Sequence, residues 1–321
     1  MRHLRWLLPL GLVLHLGISA WRTDIGAAMG LARLSPLTLA EAVVVAFLPW
    51  LLNALRVWNW LRWEGARRPY GDCLRVIAAC ELGAAVTPTS VGSASVKTMM
   101  LSRRGLSLER ALAITAAGSV EDGLFFVLAM PPLLVASGVW RDGLLERLLA
   151  ARPVVTLAVA AAAAVAAVFV VRRSARGRRV LGSLLDAWRH TRRLIGTSLR
   201  ERPLAWAGNL LLSALQWLAR YSLLVALLGA FGLDAQPLRV LVLQWLCSTL
   251  MALVPTPGAA GGAELLFLGL FAAEIPGPLL LLLMSAWRLL GYYLPTLVAV
   301  GLLALPRGEP RLEPLLDASR D

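Results

Sequence analysis

Two long apolar stretches of this chain are interrupted by closely similar phrases, Pro88-Thr89-Ser90-Val91-Gly92 and Pro255-Thr256-Pro257-Gly258, set in matching surroundings. Proline removes a backbone donor, and lipid offers no replacement partner. A segment broken at membrane depth therefore persists only where other protein or a water-lined cavity covers it. An arginine inside an apolar span precedes each break, Arg56 by 32 residues and Arg220 by 35. Glu121 and Arg288 each follow their break by 33 residues, and Lys97 and Glu264 each by nine. The chain reads as a duplication, and matching interrupted segments in two halves point to a transporter's binding site. Retention of the duplication for folding alone is the alternative, and it predicts no cavity where the two breaks meet.

The membrane assignment follows from 58% hydrophobic residues, a mean hydropathy of +0.70 and several apolar runs able to cross a hydrocarbon core of roughly 30 Å. The formal charge is +13, from 32 Lys+Arg against 19 Asp+Glu, and Lys97 is the one lysine. On a membrane protein such an excess marks cytoplasmic loops facing anionic lipid, so no nucleic-acid partner is expected. Cys73, Cys80 and Cys247 lie in or beside apolar stretches at spacings that suit neither a disulfide framework nor a metal, and no cofactor is expected. His3, His15 and His190 have no carboxylate or cysteine at ligand spacing, and no HExxH, GxSxG or GxxxxGK[ST] occurs.

Six apolar runs, 6–21, 38–61, 108–137, 153–171, 203–230 and 277–305, are each predicted to cross once, the first as an uncleaved span. The runs 73–101 and 238–274 carry the breaks and read as re-entrant hairpins. Arg62, Arg67, Arg68 and Arg75 before the first hairpin, Arg103, Arg104 and Arg110 after it, and the arginines of 172–202 place those loops in the cytoplasm. Asp234, Arg239 and Glu274 flank the second hairpin sparsely, so its ends fall on the outer side. The predicted fold is all-α: one transmembrane domain over 1–321, about six spans plus two hairpins, both termini cytoplasmic. Residues 38–137 and 203–305 form oppositely oriented halves of an inverted repeat. The linker 172–202, with Leu181, Leu184, Leu185, Trp188 and Leu194 among arginines at helical spacing, is predicted to lie on the inner surface against anionic lipid headgroups. Docking of a lipid-biosynthetic enzyme there is the second possibility.

Glu121, Asp122, Arg220 and Arg288 lie well inside spans, where a charge costs about 2.5 to 3.5 kcal/mol and needs a partner or water. The repeat predicts that Glu121 and Arg288 meet near its axis, as a register-fixing salt bridge, a substrate-sharing pair or both. Arg56 lies close enough to the cytoplasmic end of its span to snorkel. Trp58, Trp60 and Trp63 beside it suggest an interfacial belt, and Glu81 is either an intramembrane acid or base or a polar group satisfied in the bundle. Helices starting at Gly92–Ser95 and Gly258–Gly262 would aim N–H groups at the cavity and favour an anion. Alternatively the glycines serve only close helix packing. With Lys97 and Arg220 facing water, the expected cavity is electropositive.

The run ELGAAVTPTSVGSASVKTMMLSRRGLSLERAL, the phrase VPTPGAAGGAELLF and the closing SAWRLLGYYLPTL resemble, in order and spacing, the membrane region of lysylphosphatidylglycerol synthases and of standalone flippase-like proteins. The resemblance covers nearly the whole chain. It implies a lipid-translocating unit of the bacterial inner membrane without the soluble aminoacyl-transfer domain, hence a transporter and not an enzyme. By motif position it carries over Pro88, Gly92, Lys97, Pro255, Pro257, Gly258, Gly261, Glu264 and Arg288. Where family members often have an acidic residue after the first glycine, Ser93 and Ala94 stand here, and the usual Glu-Arg pair is replaced by Glu121-Asp122. The expected substrate-binding set also includes Thr89, Ser93, Glu121, Asp122, Arg220 and Thr256. The expected activity is movement of an anionic or zwitterionic lipid between leaflets; the rivals are a membrane-embedded lipid-modifying enzyme and a scaffold for one.

Overall fold

A computed structural model describes residues 36–87, 92–143, 175–254 and 256–305. The predicted spans 6–21 and 153–171, and Pro88, Thr89 and Pro255 of the breaks, lie outside the described residues. Those that are described are helical, with no strand: α1 (Pro36–Trp63), α2 (Tyr70–Val86), α3 (Gly92–Ser102), α4 (Leu108–Ser137), α5 (Ala175–Glu201), α6 (Pro203–Ala230), α7 (Pro237–Met251), α8 (Gly262–Phe271) and α9 (Gly277–Ala304). Among these, α1, α4, α6 and α9 are long and apolar enough to cross a membrane. The protein is an integral membrane protein.

Local chemistry sets the boundaries. Pro36, Pro203, Pro237 and Pro278 stand in the first turns of α1, α6, α7 and α9, where a missing N–H removes no intrahelical bond. Ser107 caps α4 by accepting from the Arg110 N–H at 3.4 Å, and Gly138 ends it at φ +72°. Within α9, Leu289–Tyr293 form a π-turn directly before Pro295, which has no N–H to continue the regular ladder.

Burial divides the chain in two. One apolar core joins residues of α1–α4, with Leu194 of α5 and Ala299 of α9 added; the other joins α6–α9, with Ala42 and Val139 added. Across the boundary α1 and α6 make the most extensive helix pair, α2 packs on the C-terminal part of α9, and α7 packs on α4. Val127, Val135, Leu204, Leu211 and Leu265 remain exposed, as lipid-facing positions require. Cys73, Cys80 and Cys247 are free thiols packed in these cores. Helix α5 matches the predicted amphipathic linker: Leu194 is buried against the bundle while Leu185, Trp188 and Leu199 are exposed.

Candidate functional site

The charge arrangement begins with Arg56. It is 2% exposed and does not snorkel, because α4 and α6 supply partners for every N–H of its guanidinium. Nε and Nη2 donate to Glu121 Oε2 at 3.1 and 2.8 Å, Nη1 donates to Asp122 Oδ1 and Gln216 Oε1 at 2.8 Å each, and Nη2 reaches the Gly118 carbonyl at 2.9 Å. Glu121 Oε1 accepts from Trp60 Nε1 at 3.0 Å and Asn209 Nδ2 at 2.7 Å, and Ser213 Oγ donates to Asp122 Oδ1 at 2.6 Å. Trp60 is thus part of a buried network and not of an interfacial belt. Trp58, whose Nε1 bonds the Arg68 carbonyl beneath the Arg62 guanidinium, keeps the interfacial role. Lys97 sits behind this cluster, its Nζ 3.3 Å from where a Cβ on Gly118 would stand, and offsets the excess of two carboxylates over one guanidinium.

The predicted Glu121–Arg288 pair does not form. Arg288 lies across the bundle with Nε 2.9 Å from Glu264 Oε1, both Nη atoms 3.2 Å from the Gly258 carbonyl, and Cζ 4.7 Å from the Tyr292 ring centroid. Glu264 Oε2 in turn accepts the Gly261 N–H at 2.7 Å. The second break is a wound loop with Gly258, Ala259 and Gly261 at φ +60°, +54° and +82°. A Cβ on Gly258 would come within 2.2 Å of Tyr292 Oη, so the loop and α9 require glycine there.

At the first break the glycines serve close packing: a Cβ on Gly92 would stand 2.5 Å from the Gly83 carbonyl oxygen, and one on Gly83 would stand 2.7 Å from Val96 Cγ2. The N–H groups expected to face an anion are partly spoken for, since Gly92 N–H donates to Thr87 Oγ1 at 2.9 Å and Gly261 N–H to Glu264. Arg220, expected to face water alone, meets Glu81 at 2.8 Å, and Tyr292 Oη donates to the Ala85 carbonyl at 3.3 Å. Both contacts tie the first hairpin to helices of the second half.

Between these elements lies a cavity of about 430 Å³. It opens where the two breaks converge, touching Glu81, Ala84, Ala85 and Ser93 on one side and Met251, Ala252, Gly258 and Ala259 on the other. Asp122, Arg220 and Arg288 complete its charged lining, Gln216, Gln244, Ser248, Tyr292 and Thr296 are polar members, and Trp50, Trp217 and Trp287 form much of the apolar wall. Of the residues predicted from sequence, Ser93, Asp122, Arg220, Gly258 and Arg288 line it. Gly92, Lys97, Glu121, Thr256, Pro257, Gly261 and Glu264 stand behind the wall as supports. The expected electropositive field is replaced by balance: two carboxylates and two guanidinia line the cavity, each held by an opposite charge.

A family model described as the lysylphosphatidylglycerol synthase TM region matches residues 6–299. The chain belongs to that family. Both breaks, the cavity and every charge discussed above fall inside the family's matched region. A relative from Archaeoglobus fulgidus, described as a UPF0104 membrane protein, is 26% identical over 274 residues, covering 78% of this chain and 82% of its own length.

Sequence reasoning missed Asn209, Ser213 and Gln216, which share one face of α6 with Arg220. Their spacing of i, i+4, i+7 and i+11 is a polar stripe at helical period inside an apolar span, and that stripe is the signal for a helix facing buried partners.

Proposed function

We propose that the protein moves a lipid with an anionic or zwitterionic headgroup between membrane leaflets, by alternating access between two inverted halves around the central cavity. The observation that carries this reading is the cavity itself: duplication retained for folding alone predicts close packing where the breaks meet, and about 430 Å³ of charged and apolar-lined space stands there instead. The reciprocal packing of α2 on α9 and of α7 on α4, about the central α1–α6 pair, supports an inverted arrangement, as do the two separate cores. On this reading the spans 6–21 and 153–171 complete six crossings, and the termini and Arg-rich turns face the cytoplasm. Helix α5 lies on anionic lipid, with Trp188 and Leu185 reaching the interface.

A paired charge lining suits transport better than tight storage. A phosphate entering the cavity can exchange with Glu81 on Arg220 without leaving either charge bare, so binding and release stay close in free energy.

Reconstitution into proteoliposomes carrying headgroup-labelled lipid tests the proposal. Loss of leaflet asymmetry in protein-containing vesicles, with lipid mass unchanged, is the expected result. A change in lipid mass would instead select a membrane-embedded enzyme, and unchanged asymmetry with unchanged mass would refute transport.

A further inference from the structure

The cavity contains one polar side chain that the fold leaves without a partner. Gln244 of α7 is 2% exposed and lines the cavity, yet its Oε1 is buried with no hydrogen-bond partner among the described residues. Its neighbours do not need it: Arg288 is committed to Glu264 and the Gly258 carbonyl, and Arg220 to Glu81. A buried amide left in this state costs free energy, and native proteins retain such groups where a ligand or water completes them.

The chemistry of the missing partner is narrow. A carbonyl-type oxygen needs a donor, which rules out phosphate oxygens at that atom. An ammonium can donate, but Gln244 offers it no counter-charge, the cavity carboxylates Glu81 and Asp122 are already bonded to Arg220 and Arg56, and Arg288 lines the same space. A hydroxyl donates to Oε1 and can accept from the amide nitrogen as well. Ser248, one turn further on α7, adds a second hydroxyl-compatible group to the lining.

Resting on the lipid-transport reading of the cavity, we infer that Gln244 forms a headgroup subsite for a free hydroxyl, as carried by a glycerol or sugar headgroup, beside arginines that take the phosphate. A site built to hydrogen-bond a hydroxyl discriminates strongly against the analogue without it, because the protein group is then left bare.

Two anionic lipids of equal charge separate the possibilities: phosphatidylglycerol, which has headgroup hydroxyls, and phosphatidylmethanol, which has none. Each is titrated into detergent-solubilised full-length protein, with binding read from the fluorescence of the cavity tryptophans and bound mass confirmed by native mass spectrometry. Wild-type protein should hold phosphatidylglycerol at least about tenfold more tightly. Gln244→Met, similar in size, should lower that affinity to the phosphatidylmethanol level and leave phosphatidylmethanol unchanged. Equal wild-type affinities would overturn the hydroxyl subsite while sparing the lipid cavity, and this comparison needs no variant to fold. Retention of neither lipid would overturn both readings. A preference that survives Gln244→Met would move hydroxyl selection away from this residue and so overturn the inference.

Discussion

Glu81 of α2 and Arg220 of α6 meet at 2.8 Å on the cavity wall, joining the broken hairpin of one half to a long span of the other. The two side chains are 26% and 39% exposed, so the pair faces the cavity and is screened by whatever fills it. Exposed pairs contribute only about 0 to 1 kcal/mol to stability. Glu81→Gln and Arg220→Gln should therefore each leave the melting temperature in detergent within a few degrees of wild type, while lipid movement in vesicles falls tenfold or more. The exchanged variant, with Glu81→Arg and Arg220→Glu together, should recover part of the activity. Loss of folded protein in both single variants would show the pair to be a structural tie.

Arg56 is expected to behave in the opposite way. Arg56→Met strands Glu121 and Asp122 inside the bundle, at a cost of about 3 to 5 kcal/mol. Thermal unfolding in detergent should show a large loss. Adding Glu121→Gln to Arg56→Met removes the bare charge while keeping acceptors for Trp60 and Asn209, and should restore part of the stability. A double variant no more stable than the single one would contradict the network described.

The two breaks should differ from ordinary loops in their tolerance of a methyl group. Gly258→Ala forces a side chain into the left-handed region, costing about 1 to 2 kcal/mol, and drives Tyr292 away from the loop. Gly92→Ala meets the Gly83 carbonyl oxygen, which cannot rotate away. Both variants should lower the yield of monodisperse protein, whereas Gly208→Ala and Gly269→Ala, with open space around them, should not.

Sidedness can be read by thiol labelling, because all three native cysteines are buried and silent. A cysteine placed at Ser102 should label from the cytoplasmic side and one at Asp234 from the outer side. The same side for both would refute opposed hairpins.

Hydropathy and punctuation made most of the architecture legible. The 108–137 and 203–230 runs coincide with α4 and α6, and the arms of both broken segments appear as α2–α3 and α7–α8. Charge pairing was not legible, because it depends on how each helix is rotated, and rotation is set by packing that no spacing rule encodes. Arg56 lies seven residues from the end of α1, about 10 Å at helical rise, which is within reach of the interface. Only the Asn209, Ser213 and Gln216 stripe on a distant helix keeps it inside. Repeat arithmetic likewise aligned Glu121 with Arg288 correctly in depth while saying nothing of direction.

The partners of Arg56 also fix an order of biosynthesis. Gln216 and Asn209 are made some 150 residues after the residues they bond, so the first half leaves the translocon with its most costly charge relying on Glu121 and Asp122 alone. Separate synthesis of the two halves should accordingly leave the first prone to degradation until the second is supplied, making the polar seam between α1 and α6 a checkpoint for assembly as well as a wall of the cavity.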